Sequence, residues 1–211
     1  GFYEGILEFD KEGNFQGVMG APRVAPGLKD LFWYIISTEA KKKRMSLFLP
    51  TEYSGITIDK SGFLYGTVAK GKTYKEEVGA IRKLSTNGED VLKRNGFFPP
   101  LGDISVDLEK KSQFIDVTLL NIGKNNDLQL YSVLDSTRGR IFTYNNQGNL
   151  LYIFGGEGNG KGLFKRPAAL DTINDNFIVI DSQSNNITIF EPTEYANNIN
   201  SALYHYSIGK Y

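Results

Sequence analysis

Two aspartates, Asp135 and Asp181, are the first candidates for chemistry in this sequence of 211 residues. They lie 46 positions apart, and each ends a short apolar run that begins with a valine, Val133 or Val179. Carboxylates repeated at strand ends could bind Ca²⁺ or act as general bases. They could instead accept hydrogen bonds from the backbone of the turn that follows. Because a catalytic residue needs to occur only once, the repetition favours two structural turn caps.

A glycine-rich segment is the second candidate. Gly155 and the pair Gly160-Lys161 have the spacing of a phosphate-binding loop, and they follow a predicted strand. Such a loop continues with Ser or Thr, which binds Mg²⁺, and then with a helix whose N-terminus holds the phosphate. Here Gly162 follows the lysine, and Pro167 opens a predicted strand. We therefore interpret the segment as a connection between two structural repeats.

Three cations in predicted loops, Arg138, Arg140 and Lys161, could contact an anionic ligand and are the candidate binding residues. Charged side chains in loops are more often simply solvated. His205 is the only histidine, it falls in a predicted helix, and the chain has no cysteine. A Ser-His-Asp triad, a multi-histidine metal site and a thiolate site are therefore not expected. The sequence indicates no catalytic residue, no metal ligand and no cofactor.

The charge balance argues against nucleic acid as a partner. Lys and Arg number 24, and so do Asp and Glu, so no net field would attract a polyanion. No apolar run approaches the roughly 20 residues of a membrane span, so membrane association would have to come from segments outside this chain. The chain starts at Gly1 without a methionine, and we expect it to be part of a longer protein.

The elements that position these residues are clearest between residues 130 and 154. Three short strands are predicted there, joined by the turns Ser-Thr-Arg-Gly and Asn-Asn-Gln-Gly. Short strands with Asp and Gly turns that recur at such a period are typical of β-propeller blades. The aligned pairs are Val133 with Val179, Asp135 with Asp181, Ser136 with Ser182, Ile141 with Ile187, and Tyr144 with Phe190.

The predicted fold class is all-β. We expect a partial propeller of about three to four four-stranded blades, with an inserted amphipathic helix and a C-terminal helix. Residues 1–191 form the propeller segment and residues 192–211 the helix, which begins after Thr193 as N-cap. Within the segment we predict a half blade at 1–20, a helical insert at 26–48, and blades at about 54–96, 102–156 and 166–191.

Four local features complete this prediction. Asp10 to Gly13 should form the turn of the first hairpin. Asp175-Asn176 should form the first turn of the last blade. Val91 to Lys93 should form the fourth strand of the first full blade, and residues 102–108 an extra edge strand. Roughly three and a half blades leave a ring open, since propellers close with about four to eight. We expect a second copy or the chain's own helices to cover the open blade edges.

The stretch that contains the three predicted strands between residues 130 and 154 resembles the NHL repeat. The resemblance rests on residues 133–156, which include Arg140-Ile-Phe-Thr-Tyr144 and end in Phe-Gly-Gly, followed by Gly-Leu-Phe-Lys-Arg-Pro at 162–167. The blade around Arg82 departs from the pattern, because the Asp that closes its second strand is absent. The resemblance implies a β-propeller that acts as a non-enzymatic scaffold and engages a protein, glycan or small ligand through its loops. The alternative is a lactonase-like, Ca²⁺-dependent hydrolase on the same architecture.

More narrowly, the chain is similar to bacterial NHL proteins whose propeller lies outside the cell and precedes a tetratricopeptide-like helical segment. Residues 202–211, Ala-Leu-Tyr-His-Tyr-Ser-Ile-Gly-Lys-Tyr, resemble the first helix of such a segment. This resemblance implies an extracellular or cell-surface location.

Overall fold

The computed structural model describes residues 5–20, 53–68, 80–94, 102, 112–123 and 127–210. These residues form antiparallel sheets and a C-terminal helix, so the expected mostly-β class is confirmed. The predicted helical insert at 26–48 lies outside the described residues, and so does the predicted edge strand at 102–108 except for its first residue.

Each sheet is a meander, in which strands adjacent in sequence are paired. The first sheet contains β1 (Ile6–Phe9) and β2 (Phe15–Met19); the second contains β3 (Tyr53–Ile58), β4 (Leu64–Val68) and β5 (Ile81–Leu84). The third sheet contains β6 (Phe114–Ile122), β7 (Leu128–Asp135), β8 (Arg140–Tyr144) and β9 (Leu150–Gly155); the fourth contains β10 (Pro167–Ile173), β11 (Asn176–Asp181) and β12 (Asn186–Phe190). Helix α1 spans Glu194–Ser207.

The third sheet separates two apolar cores. We call the face of a sheet that is directed at the preceding sheet its front, and the opposite face its rear. Val133 and Phe142 on the front of the third sheet pack with Tyr65 of the second sheet. On its rear, Leu134 and Ile141 pack with residues of the fourth sheet. The alternation of successive side chains along β7 and β8 thus supplies both cores.

Three tight turns share one hydrogen-bonding pattern. In each, the Oδ1 atom of Asp10, Asp59 or Asn145 accepts hydrogen bonds from the backbone N–H groups two and four residues further on, at 2.7 to 3.0 Å. The residue three positions on is a glycine with positive φ, as at Gly13. The side chain therefore replaces backbone acceptors that a turn lacks. The predicted turn from Asp10 to Gly13 is confirmed.

The prediction of a fourth strand at Val91–Lys93 is wrong. Only an isolated bridge between Leu84 and Asp90 extends the second sheet. The Asp90 carboxylate accepts hydrogen bonds from the N–H groups of Lys83 and Leu92, at 3.2 and 3.0 Å. The Arg94 guanidinium donates to the carbonyl groups of Leu92 and Ile81. Side chains thus occupy backbone groups that a strand ladder would need.

The turn between β10 and β11 lies one residue earlier than predicted. Asn174 and Asp175 have positive φ values of 47° and 65°, and Ile173 pairs with Asn176 across them. A two-residue turn of this kind needs positive φ at both positions, which Asn and Asp tolerate better than most residues.

Helix α1 follows the fourth sheet and packs back on the rear core. Thr193 is its N-cap, with Oγ1 accepting a hydrogen bond from the N–H of Ala196 at 3.3 Å, so the predicted start is confirmed. Leu203 and Tyr204 pack against the rear core. In the described ranges, no helix has the length and apolar character needed to cross a membrane.

Candidate functional site

The Asp135 carboxylate joins the end of β7 to the segment that enters β6. Its Oδ1 atom accepts hydrogen bonds from the N–H groups of Gln113 and Thr137, both at 2.9 Å. Its Oδ2 atom accepts one from the Ser112 hydroxyl at 2.9 Å. Asp135 is buried. The carboxylate therefore binds its own turn, as a cap does, and also a segment 22 residues earlier in the chain.

The Asp181 carboxylate makes the corresponding connection in the fourth sheet. Its Oδ2 atom accepts a hydrogen bond from the N–H of Lys165 at 2.7 Å, and its Oδ1 atom accepts from that of Arg166 at 3.2 Å. In its own turn, the N–H groups of Gln183 and Ser184 donate to Oδ1 at 2.9 and 3.0 Å. Burial alone would raise the pKa of Asp181, but these four backbone donors outweigh it and lower the pKa to about 2.

We call these two arrangements the aspartate latches. Ser136 and Ser182, which follow the aspartates, extend them in the same way: each donates from N–H and hydroxyl to the carbonyl of Gln113 or Arg166. The hydrogen bonds accepted by the two carboxylates are charge-assisted and are among the stronger ones in proteins. In the third and fourth sheets, the latch holds the segment that enters the first strand next to the end of the second strand. The carboxylate oxygens of both latches are directed at N–H and hydroxyl donors of the protein itself.

Of the predicted cationic residues, Arg138 and Arg140 lie in and just after the turn that follows Asp135, and Lys161 lies in a separate connection. Arg138 and Arg140 flank Gly139, a buried glycine whose φ is 63° and whose position leaves no room for a side chain beside Gly156. Lys161 is exposed in the glycine-rich connection, which passes into β10 without forming a helix. A shallow cavity at this end is lined by other residues: Glu157, Gly158, Asn159, Phe164, Lys165 and Gln183.

A larger cavity of about 480 Å³ lies between the edge strand β9 and helix α1. Phe154, Phe177 and Phe190 line it, and the ring centroid of Phe154 lies 5.1 Å from that of Phe177 and 5.0 Å from that of Phe190. Leu120 and Leu151 extend the apolar lining. Cavities of this size with a mostly apolar lining are typical of small-molecule sites.

Two of the polar residues at the cavity are acidic. Asp175 and Glu191 are lining residues, and no Lys or Arg is among the described residues that line it. The Tyr152 hydroxyl donates to Oδ1 of Asn200 at 3.4 Å, which connects β9 to α1. Burial raises the pKa of Tyr152, so its hydroxyl stays a neutral donor. A smaller cavity of about 270 Å³ shares Asp175 and Asn200 with this one.

This cavity was not predicted from the sequence, because its two walls are distant in the chain. β9 and α1 were each predicted, but nothing in either pattern indicates that the helix folds back beside β9. The one local signal is Leu150-Leu151, two adjacent apolar residues in a strand where strict alternation would place a polar residue. That break in alternation indicates an edge strand with apolar surroundings on both faces.

One buried tyrosine could do chemistry but is sealed from solvent. Tyr131 stacks between Tyr65 and Tyr144, with centroid distances of 5.6 and 5.4 Å. Its hydroxyl is buried and has no hydrogen-bond partner among the described residues. Burial raises the pKa of Tyr131 far above the usual value, with the neighbouring tyrosines adding to the effect. The residue therefore serves as core rather than as an acid or base.

His205 is equally unsuited to a triad. It lies on the exposed side of α1, and its Nδ1 atom is 2.7 Å from the carbonyl oxygen of Ser201 in the same helix. The described residues contain no group of three or more His, Cys, Asp or Glu side chains that could hold a metal ion.

No protein-family model matches this chain, and no curated protein matches it significantly.

Proposed function

We propose that this protein is a non-enzymatic binding module, built on an NHL-type β-propeller segment, that takes a small apolar ligand with a positively charged end. The ligand occupies the cavity between β9 and α1. The sequence resemblance to bacterial extracellular NHL proteins supports an extracellular or cell-surface location. The four meandering sheets, with the repeated latches of Asp135 and Asp181, support the propeller segment.

The observation that carries the proposal is the chemistry of the cavity lining. The Phe154 ring contacts the rings of Phe177 and Phe190, and the three offer a preorganised apolar surface, which loses little conformational entropy when a ligand binds. Aromatic rings also attract cations through their quadrupole. The carboxylates of Asp175 and Glu191 add negative charge at the same cavity.

The alternative, a Ca²⁺-dependent hydrolase, needs several oxygen ligands that converge on one ion. Asp135 and Asp181 lie in different sheets, and each accepts its own set of protein donors. A carboxylate in that position would have to give up those hydrogen bonds to bind a metal. These contacts favour the binding module.

Binding of three probes with one alkyl chain and different charge tests the proposal. Hexyltrimethylammonium, hexanol and hexanoate differ only at the head group, and isothermal titration calorimetry would give their affinities. We expect the cation to bind most tightly and the anion least. Indistinguishable affinities for the three probes, or no binding of the cation, would refute the proposal.

Two conservative variants localise the site. Asp175→Asn and Glu191→Gln remove charge with little change in shape, and Asn tolerates the positive φ at position 175. Each should weaken binding of the cation about two- to fivefold, as expected for loss of an ion pair near the surface, and leave hexanol unaffected. Glu8→Gln in β1, outside the cavity, is the matched control and should change nothing. Equal effects of all three variants would place the binding site elsewhere.

A further inference from the structure

Exposed apolar faces lie at the two ends of the row of sheets. In the fourth sheet, Ile180 pairs with Ile187 across β11 and β12, and Ile178 pairs with Ile189, so these four side chains share the rear face. Three of them, Ile180, Ile187 and Ile189, are exposed. We call them the rear patch.

The internal repeat shows what usually covers such a face. Ile187 is the counterpart of Ile141 in the third sheet, 46 positions earlier. Ile141 is 0% exposed because the front of the fourth sheet packs on it, whereas Ile187 is 65% exposed. The same residue type at the same register is therefore buried wherever another sheet follows.

The first sheet has the complementary exposure. β1 and β2 match β8 and β9 in register, since Leu7 pairs with Val18 as Phe142 pairs with Ile153. Both hairpins also shift register immediately before the aromatic residue nearest the turn, which is Phe9 in the first and Tyr144 in the second. Leu7, Phe9, Phe15 and Val18 are all exposed, and we call them the front patch.

A comparison with the third sheet shows on which face of the first sheet this patch lies. Phe9 corresponds to Tyr144, which lies in the front core of the third sheet. Tyr144 is 1% exposed, whereas Phe9 is 55% exposed. The first sheet thus presents an uncovered front, and the fourth sheet presents an uncovered rear.

We propose that a second copy of this chain docks head to tail, with its front patch on the rear patch of the first copy. Within the chain, the rear of the third sheet packs on the front of the fourth, and the proposed contact repeats that combination between copies. A front-on-rear contact is heterologous, so a pair either closes with two equal junctions or extends into longer assemblies. This inference does not depend on the proposed ligand or its cavity.

The mass of the chain in solution tests the proposal, measured by light scattering over a wide range of protein concentrations. The wild-type chain should exceed the mass of one copy. Ile187→Glu in the rear patch and Phe9→Glu in the front patch should each raise the concentration needed for association roughly tenfold or more, because a charge would be buried in an apolar contact. Tyr206→Glu, on the exposed side of α1, is the matched control and should associate like the wild type.

Mixing the two patch variants tests the polarity of the contact. Ile187→Glu keeps an intact front patch and Phe9→Glu keeps an intact rear patch, so an equimolar mixture should form one-to-one pairs that grow no further. Circular dichroism would show that each variant remains folded. A wild-type chain that stays monomeric at every concentration overturns the proposal. So does association that survives Phe9→Glu but not Ile187→Glu, because the contact would then join two rear patches.

Discussion

Replacing each latch aspartate with asparagine should have unequal consequences, although both substitutions remove one charge. At Asp181 both carboxylate oxygens accept backbone N–H groups: Oδ2 that of Lys165, and Oδ1 those of three other residues. An asparagine has one carbonyl oxygen, so its amide group must face at least one backbone donor. A backbone N–H cannot reverse its role. Asp181→Asn therefore leaves at least one N–H without an acceptor in either orientation.

At Asp135 the arrangement is more tolerant. Among the described residues, both backbone donors, Gln113 and Thr137, are directed at Oδ1, and only the Ser112 hydroxyl contacts Oδ2. A hydroxyl can rotate and accept a hydrogen bond from the new amide group. Asp135→Asn can thus keep all three hydrogen bonds and loses only the charge.

The magnitudes follow from the energies of such hydrogen bonds. Loss of a hydrogen bond to a charged group costs about 1.5–3 kcal/mol, and the hydrogen bonds that remain at Asp181 also lose their charge assistance. Solvent near the exposed Lys165 reduces the total, so we expect Asp181→Asn to cost about 2–3 kcal/mol. For Asp135→Asn we expect about 0.5–1 kcal/mol, the difference between charged and neutral hydrogen bonds. Urea denaturation at neutral pH measures both. Equal costs, or a larger cost at Asp135, would refute the reasoning.

The pH dependence provides an independent check on the same latch. The folded-state pKa of Asp181, about 2, lies below the ordinary value of 3.8. Its contribution to stability is therefore complete well above pH 3.8 and is lost as pH falls through about 2. The stability difference between wild type and Asp181→Asn should shrink over that interval. A difference that stays constant down to the lower limit would contradict the low pKa.

Three further substitutions or additions have defined outcomes. Tyr131→Phe should stabilise the fold by about 1 kcal/mol in a urea melt, because the buried hydroxyl has no partner among the described residues; a loss of stability would reveal a missed hydrogen bond. Thr193→Ala should cost about 0.5–2 kcal/mol through loss of the α1 N-cap, and it should also weaken binding of the cationic probe, because Thr193 lines the cavity. Millimolar Ca²⁺ should leave the melting temperature unchanged, and a rise of many degrees would favour the hydrolase.

Local chemistry made much of the fold predictable. The turns at Asp10 and Asn145 follow from short polar side chains that bind their own backbone and from glycines that adopt positive φ. The 46-residue repeat located β7, β8, β11 and β12. The aligned aspartates are the last residues of β7 and β11, and the aligned isoleucines are the second residues of β8 and β12.

What the sequence could not predict depends on contacts between distant residues. Residues 91–94 have strand-like character, but Asp90 and Arg94 occupy the backbone groups that a ladder requires. The latches extend to Gln113 and Arg166, many residues before the aspartates, whereas the pattern predicted only caps of the adjoining turns. The cavity depends on where α1 packs. Each of these outcomes depends on contacts between residues that are distant in the chain, and the periodicity of apolar residues along a segment does not report such contacts.

The position of the third sheet has a consequence for how the molecule opens. It has four strands and apolar neighbours on both faces, while the first sheet has two strands with one face largely in water. Local opening is least costly where few apolar contacts are lost, so amide hydrogens should exchange fastest in β1 and slowest in β7. In a row of sheets where each contacts its neighbours, this difference in exchange rates means that the first and the last sheet can unfold locally and independently of each other. The third sheet would then persist as the last protected unit, with the aspartate latch at its end still holding β6 in register.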